Sequence, residues 1–449
     1  MRGRSCFSVV VWGALFMLLA AQSAFGAGFG LYEGSARGNA LGGAMVGRAD
    51  DPSALFFNPA GITQLPGIQF MAGATAILPS MDVTTTNMYD GRTITTSSED
   101  NVWVPPHLYA TYQYSDRVWF GLGVFSPFGL GTEFDSSWPG RYNNYNAVIQ
   151  TLTVNPNVAL KLNDRLSIAA GLELMWFDLK LENFIDGNVL LARAGVPGVK
   201  VNDPSTNLFD IDQTLKGDSY GYGFNLAVHY RLLDWVSLGL SYRSQVKQHL
   251  EGDAKFDKKP SSALPLPPPL APIWDASFQN TDVSGSVILP DMLFMGVAFR
   301  PIERWSFEVG AVWNRWSTYD ALTIVYDDPL VPGTSPVVSR IKDWNDTWRI
   351  QFGVEYNALP WLDLRAGYVY DQEPVTDEHV DYLVPANDRH LFNFGPGFKF
   401  GPWSLDLSYT YIYITDRDVA ERQISEGILA SEYRNGNAHL FGASIGYKF

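Results

Sequence analysis

Apolar residues at every second position, in runs too long for an ordinary soluble strand, dominate this chain. Over residues 220–230, "YGYGFNLAVHY", the side chains of Tyr220, Tyr222, Phe224, Leu226, Val228 and Tyr230 share one face, against Gly221, Gly223, Asn225, Ala227 and His229. "WRIQFGVEY" repeats the pattern, with Trp348, Ile350, Phe352, Val354 and Tyr356 opposed to Arg349, Gln351, Gly353 and Glu355. Successive side chains of a strand point to opposite faces, so each run reads as a strand with one apolar and one small or polar face. Fourteen such strands are predicted, near 67–78, 102–114, 117–128, 146–161, 165–181, 218–232, 235–250, 287–300, 304–318, 346–357, 361–371, 390–400, 403–414 and 437–449. Runs of about 11 residues exceed the usual soluble strand and match the length that crosses a bilayer at a tilt.

The connections alternate too. Tight turns such as "YSDR", "LNDR", "LLDW", "PIER", "NALP" and "GP" join strands 2–3, 4–5, 6–7, 8–9, 10–11 and 12–13, and every other link is long. An even strand count with short turns at one end and long loops at the other is the pattern of an outer-membrane barrel, short end periplasmic and long end extracellular. A secreted sandwich or propeller would also alternate, but it would display charge on its second face. Here that face is Gly, Ala, Ser, Asn and Gln with scattered charges, which suits a partly polar lumen. The last strand alternates to the terminus, with Phe441, Ala443, Ile445, Tyr447 and Phe449 on one face. A chain that stops within a strand fits a closing seam, where first and last strands pair and abolish both edges. By general resemblance to bacterial barrels, such a terminal aromatic strand is also the signal read by the barrel-assembly machinery. The predicted fold class is therefore all-β, a 14-stranded antiparallel transmembrane β-barrel over 67–449, with an N-terminal hatch, or plug, of short helical turns.

The start of the chain agrees with that destination. Arg2 and Arg4 precede an uncharged run over 9–21, and Ala24 and Gly26 are placed for cleavage before Ala27, so residues 1–26 read as a secretory signal peptide. Its apolar core is too short to span a bilayer as a helix. Cys6, the single cysteine, falls in this leader, so disulfides are not expected. Removing the two leader arginines from 32 basic against 47 acidic residues leaves a formal charge of −17, which argues against a nucleic-acid partner.

Residues 27–66 do not alternate; they are rich in Gly and Ala. Asp51 before Pro52, and Asn58 before Pro59, can each cap a short helical turn. A lumen bounded by fourteen strands is wide enough to leak, so this segment is expected to fold inside as the hatch.

With "AGFGLYEGSARGNALGGA", "NPAGIT", "SPFGLGTEF", "VNPNVALKLNDRLSIAAGLE", "LPDMLFMGVAFRP", "WNRWSTYD", "LRAGYVYDQEPV" and "LVPANDRHLFNFGPGFKF" in order along it, the mature chain resembles the FadL-type outer-membrane transporters of long-chain fatty acids and other hydrophobic compounds. The resemblance implies a plugged fourteen-stranded barrel in which an Asn-Pro-Ala triplet of the hatch, here Asn58, Pro59 and Ala60, meets a kink in strand 3. The sequence points to that kink independently. Ser126, Pro127, Phe128 and Gly129 interrupt strand 3, since Pro127 cannot donate to a ladder and Gly129 adds no packing. A wall gap there would let an apolar molecule leave sideways into outer-membrane lipid without crossing water.

Two long loops are apolar where solvent is expected. Val189, Leu190, Leu191 and Val196 in loop 3, and Leu264, Leu266, Leu270, Ile273 and Trp274 in loop 4, are candidates for substrate capture; a lid in which the loops pack on each other is the alternative. Arg349, Arg365 and Arg193 are candidates to bind a carboxylate head group, and the first two could instead pair with Glu355 or Asp363. No enzyme or cofactor is expected. The two Gly-x-Ser-x-Gly matches, at Gly217 and Gly442, fall in alternating strands and lack the strand–turn–helix of a nucleophile elbow. The leading expectation is a monomeric channel for a hydrophobic small molecule, with a surface receptor or adhesin as the alternative, or an aromatic hydrocarbon transporter in place of a fatty acid one.

Overall fold

The computed structural model describes residues 28–449 apart from residue 386, so the predicted leader lies outside the described residues. Fourteen antiparallel strands form the wall. They are β1 (Ile68–Thr86), β2 (Pro106–Gln113), β3 (Val118–Phe125, resuming at Gly129–Glu133), β4 (Asn146–Lys161), β5 (Leu166–Asp186), β6 (Asp210–Leu233) and β7 (Val236–Arg243 and Val246–Lys258). There follow β8 (Thr281–Leu289 and Met292–Ile302), β9 (Trp305–Asn314 and Ala321–Tyr326), β10 (Val337–Ile341 and Thr347–Leu359), β11 (Leu362–Asp371), β12 (Arg389–Phe400), β13 (Trp403–Ile414) and β14 (Ala430–Lys448). β14 pairs with β1 from Gln69↔Lys448 to Thr86↔Ala430, which closes the barrel. Phe449 donates its N–H to Ile68 O, so the terminus is held in the seam.

The outward face carries the apolar residues, and its aromatics form two belts. Register places Trp313 beside Trp348, Tyr370 beside His390, and His390 beside Tyr413 toward the long-loop end. At the short-turn end Trp305 packs on Tyr356 at 4.6 Å and Trp403 on Tyr447 at 4.5 Å. Such belts mark the two bilayer interfaces. Several strands outrun the alternation that predicted them: β1 continues to Thr86, β5 to Asp186, and β6 already begins at Asp210. Beyond the bilayer neither face must be apolar, so the pattern fades while the ladder continues.

The hatch lies inside. Its elements are α1 (Ala36–Ala40), α2 (Ala54–Phe57) and a 3-10 turn (Pro59–Gln64). Ser35 caps α1 by accepting from Gly38 N at 3.0 Å, and Asn58 caps the 3-10 turn by accepting from Ala60 N at 3.2 Å, with Pro59 at its first position. Asp51 instead accepts from Ser53 N at 2.8 Å, in a turn that precedes α2. The hatch backbone rests directly on inward glycines of the wall. A Cβ on Gly239 would lie 1.9 Å from Val46 O, one on Gly296 2.7 Å from Gly47 N, and one on Gly367 2.4 Å from Leu41 C. Glu308 of β9 fixes the bed: its carboxylate accepts from Gly47 N at 2.8 Å and Arg48 N at 2.9 Å.

Candidate transport path

The kink in β3 opens a gap, and the chain's own start fills it. β3 pairs with β4 from Val118↔Leu160 to Phe125↔Thr153 and resumes at Gly129↔Gln150, so Ser126, Pro127 and Phe128 leave the ladder. On its other edge β3 is paired with β2 only as far as His107↔Phe125. The vacated edge is taken by Phe29, Gly30 and Leu31. Leu31 N donates to Pro127 O at 2.9 Å, Gly129 N donates to Phe29 O at 2.8 Å, and Gly30 forms an antiparallel bridge with Phe128. Thr151 steadies the kink from β4, donating its hydroxyl to Phe128 O at 2.6 Å. The Ser126 hydroxyl is buried with no hydrogen-bond partner among the described residues.

Among the described residues, Asn58, Pro59 and Ala60 make no hydrogen bond to the kink, and the 3-10 turn they open packs on β3 lower down, with Ile62 against Gly121. The Asn58 amide donates to Val46 O at 2.9 Å and to Val228 O of β6 at 3.0 Å. The reason is geometric: an open strand edge presents backbone donors and acceptors that an extended segment can match, and a proline-led 3-10 turn cannot. Sequence reading missed residues 29–31 because "FGL" carries no alternation long enough to announce a strand.

Behind the kink is an aromatic cage that sequence reading also missed. The Phe29 ring lies 4.7 Å from Trp316, 5.6 Å from Tyr319, 5.7 Å from Trp344 and 6.2 Å from Phe128. Gly28 lets the chain enter: its φ is +59°, and a Cβ there would meet Trp316 at 2.6 Å. The indole N–H groups of Trp316 and Trp344 are buried without hydrogen-bond partners among the described residues. Trp316 and Trp344 interrupt the wall's alternation in sequence, which hides their inward orientation.

The apolar stretches of loops 3 and 4 meet. Leu190, Leu191, Leu264 and Trp274 are buried in one cluster with Phe209, Ile211 and Phe278, and Val189, Val196, Leu266 and Leu270 pack against it. Trp274 is the centre of this lid. It is 0% exposed, its N–H donates to Lys259 O at 2.8 Å, and Phe209 meets it edge-on at 5.9 Å. Ile273, at 41% exposure, faces outward, and Arg193 is exposed as the last residue of α3 (Asn188–Arg193).

Beneath the lid is a cavity of about 580 Å³ whose apolar lining includes Leu181, Leu215, Leu322 and Val338, with Arg340 and the carboxylates of Asp186, Glu378, Asp381 and Glu426 also at its wall. The Arg340 guanidinium donates to Asn143 O at 3.2 Å, and no ion pair engages it among the described residues. The two barrel arginines singled out from sequence have carboxylate partners. Arg349 pairs with Asp371 at 2.6 Å and lies over the Tyr32 ring. Arg365 engages Glu355 at 2.7 Å, Asp406 at 2.6 Å and Asp363 at 3.3 Å, near the short-turn end. Between β11 and β12, burial pushes the Glu373 carboxyl up to about 8, outweighing Arg417 and Arg389 nearby. Among the described residues no three His, Asp or Glu side chains converge as metal ligands.

A closed fourteen-stranded barrel with aromatic belts, an internal hatch and an apolar path defines a channel-forming outer-membrane protein. A family model described as outer membrane protein transport protein (OMPP1/FadL/TodX) matches residues 17–449, and the chain belongs to that family. The family consists of transport channels and not enzymes. A long-chain fatty acid transport protein of Escherichia coli O6:H1 is 28% identical, over 97% of both chains. Among solved structures, a Pseudomonas aeruginosa FadL homologue aligns with a TM-score of 0.80 at 20% identity, covering 94% of this chain and 100% of that one. The Pseudomonas putida toluene transporter TodX aligns with a TM-score of 0.67 at 20% identity, covering 96% and 99%.

Proposed function

We propose that the protein is an uptake channel for hydrophobic molecules, with long-chain fatty acids as its substrate class and lateral release at the β3 kink. The observation that carries the reading is the strand-like pairing of residues 29–31 with Pro127 and Gly129 across the wall gap, with the Phe29 ring in an aromatic cage. In this scheme exposed apolar residues around the lid, Ile273 among them, capture the substrate from the extracellular side. The cavity beneath receives it, displacement of Phe29 vacates the cage, and withdrawal of residues 29–31 opens the kink toward the bilayer. Asn58 to Ala60 hold the hatch to β6 while its first residues move. An alkyl chain gains about 0.8 kcal/mol per methylene withheld from water, so a dry path with a sideways exit suits it better than an aqueous pore.

Arg340 favours a fatty acid over a hydrocarbon, because in a cavity also lined by Asp186, Glu378, Asp381 and Glu426 it offers a carboxylate a charge-assisted hydrogen bond, stronger than the cation–π contact open to a neutral ring. Uptake of a radiolabelled long-chain fatty acid and of a monoaromatic hydrocarbon, in bacteria lacking their own transporter, tests the reading. The chain should import the acid, and a Pro127→Ala/Gly129→Val version should lose that import while still assembling. Assembled barrels that import neither compound would overturn it in favour of a surface receptor.

A further inference from the structure

The wall has a second discontinuity, between β6 and β7. Their ladder runs from Leu233↔Val236 to Asn225↔Arg243, and begins again only at Asp218↔Glu251, with the register moved by one residue. Among the described residues no ladder pair joins 219–224 of β6 to 244–250 of β7. Each segment is nevertheless paired on its far side, with β5 and with β8. The cause is a bulge. Arg243 and Ser244 are both buried, so two consecutive residues face inward and the parity of β7 changes. Ser244 N donates to Phe224 O at 2.9 Å, and Phe224 N donates to the Ser244 hydroxyl at 2.9 Å, which marks the lower end of the seam.

Side chains, not backbone bonds, close it. The inward positions of β6 here are Ser219, Gly221 and Gly223, which leave room, and β7 fills that room. A Cβ on Gly221 would lie 2.5 Å from Val246 Cγ1 and 2.7 Å from Gln248 Nε2. Gln248 is fully buried; its Oε1 accepts from the Ser219 hydroxyl at 2.8 Å, and its Nε2 has no hydrogen-bond partner among the described residues. An amide stranded in this way weighs against the closed seam. The β6 lip of the seam is apolar outside and apolar side chains back the seam inside, while the facing outward residues of β7, Gln245, Lys247 and His249, are polar and exposed. Outside, Tyr222 is 76% exposed on the lip beside Tyr220 and Phe224. Inside, Met175, Phe177, Val246 and Leu250 belong to the buried apolar cluster of the lumen.

We propose that this seam is a second lateral portal, through which a small apolar molecule dissolved in the outer leaflet reaches the lumen without passing the lid. The inference rests on the reading of the protein as a hydrophobic uptake channel. The seam opens just above Tyr242, at the level where interfacial aromatics sit and where water can satisfy strand groups that the ladder leaves unpaired. Val246 and Gln248 are its plug, and rotation of two side chains opens it with no movement of the hatch.

The predicted mature chain has no cysteine, which makes labelling direct. Gln248→Cys and, as a control, Gln351→Cys are placed in dioleoylphosphatidylcholine vesicles; Gln351 also faces inward, on a strand paired on both sides with Gly310 and Val369. Each is exposed to a pyrenyl maleimide predissolved in the bilayer and to a sulfonated maleimide in water. The bilayer reagent should label position 248 roughly tenfold faster than position 351, through local opening of the seam. Equal rates, or faster labelling from water, would overturn the portal. In cells, a Gly221→Cys/Gln248→Cys pair should slow uptake of a membrane-dissolved hydrocarbon when oxidised and restore it when reduced. Unchanged uptake sinks the portal alone, whereas an unmodified chain that imports no hydrophobic compound defeats the channel reading and leaves the labelling result to decide the seam.

Discussion

Arg340 and Arg365 carry the same charge into opposite surroundings, and the difference separates binding from structure. Arg365 is buried among Glu355, Asp363 and Asp406; removing it leaves the buried Asp406 without its cation, while Glu355 keeps Arg37 at 3.0 Å and Asp363 keeps Lys399 at 2.8 Å. Arg365→Met should therefore lower stability by about 3–5 kcal/mol, the usual cost of breaking a buried ion pair, as read by urea unfolding in detergent. Arg340 borders a cavity and donates to one carbonyl. Arg340→Gln should leave unfolding unchanged and weaken fatty acid binding by roughly tenfold, the scale of one charge-assisted hydrogen bond, with hydrocarbon binding unaffected. Equal loss of both ligands would remove Arg340 from the head-group role. Parity along "WRIQFGVEY" and "LDLRAGYVY" was enough to turn Arg349 and Arg365 inward. It could not reveal Arg340, because that residue lies in a hairpin above the bilayer, where both faces are partly wet and alternation loses its meaning.

At the scale of elements, the strands were legible because the bilayer imposes one requirement on every outward position. The hatch was legible only as a capped, non-alternating segment. Its exact bed was not, since an inward glycine such as Gly239 looks the same whether it borders water or lies against Val46 O. Loops follow local rules of their own. Loops 3 and 4 joined through Trp274 as a lid because their apolar residues have no lipid to face. In the loop between β11 and β12, the Glu373 carboxylate oxygen Oε1 accepts from Val375 N at 3.1 Å and Oε2 has no hydrogen-bond partner among the described residues. Its carboxyl is neutral in the fold until about 8 against an ordinary value of 4.5, so the folded loop holds a proton that the opened loop releases. That contribution is full below the ordinary value, declines as pH rises, and is gone beyond about 8. Protease cleavage within residues 373–388 should accordingly increase between pH 5 and pH 8.5, a range of roughly the width set by that shift, and Glu373→Gln should flatten the profile. A wild-type profile that is already flat would contradict the assignment.

For the whole molecule, a closed barrel gives stability and impermeability at once, and transport requires controlled exceptions to closure. In the proposed scheme the β3 gap is such an exception, covered by three residues from the start of the described chain. Proline and glycine at 127 and 129 made the gap visible in sequence. Its cover was invisible, because nothing local in "FGL" says that it will pair with a strand almost a hundred residues away. The most direct measurement is uptake of radiolabelled long-chain fatty acid by cells expressing a Gly30→Cys/Phe128→Cys variant, whose two positions form a bridge across the kink. Oxidation should pin residues 29–31 in place and abolish import, and a reductant should restore it. Import that is equally fast in the oxidised and reduced states would contradict release through the kink.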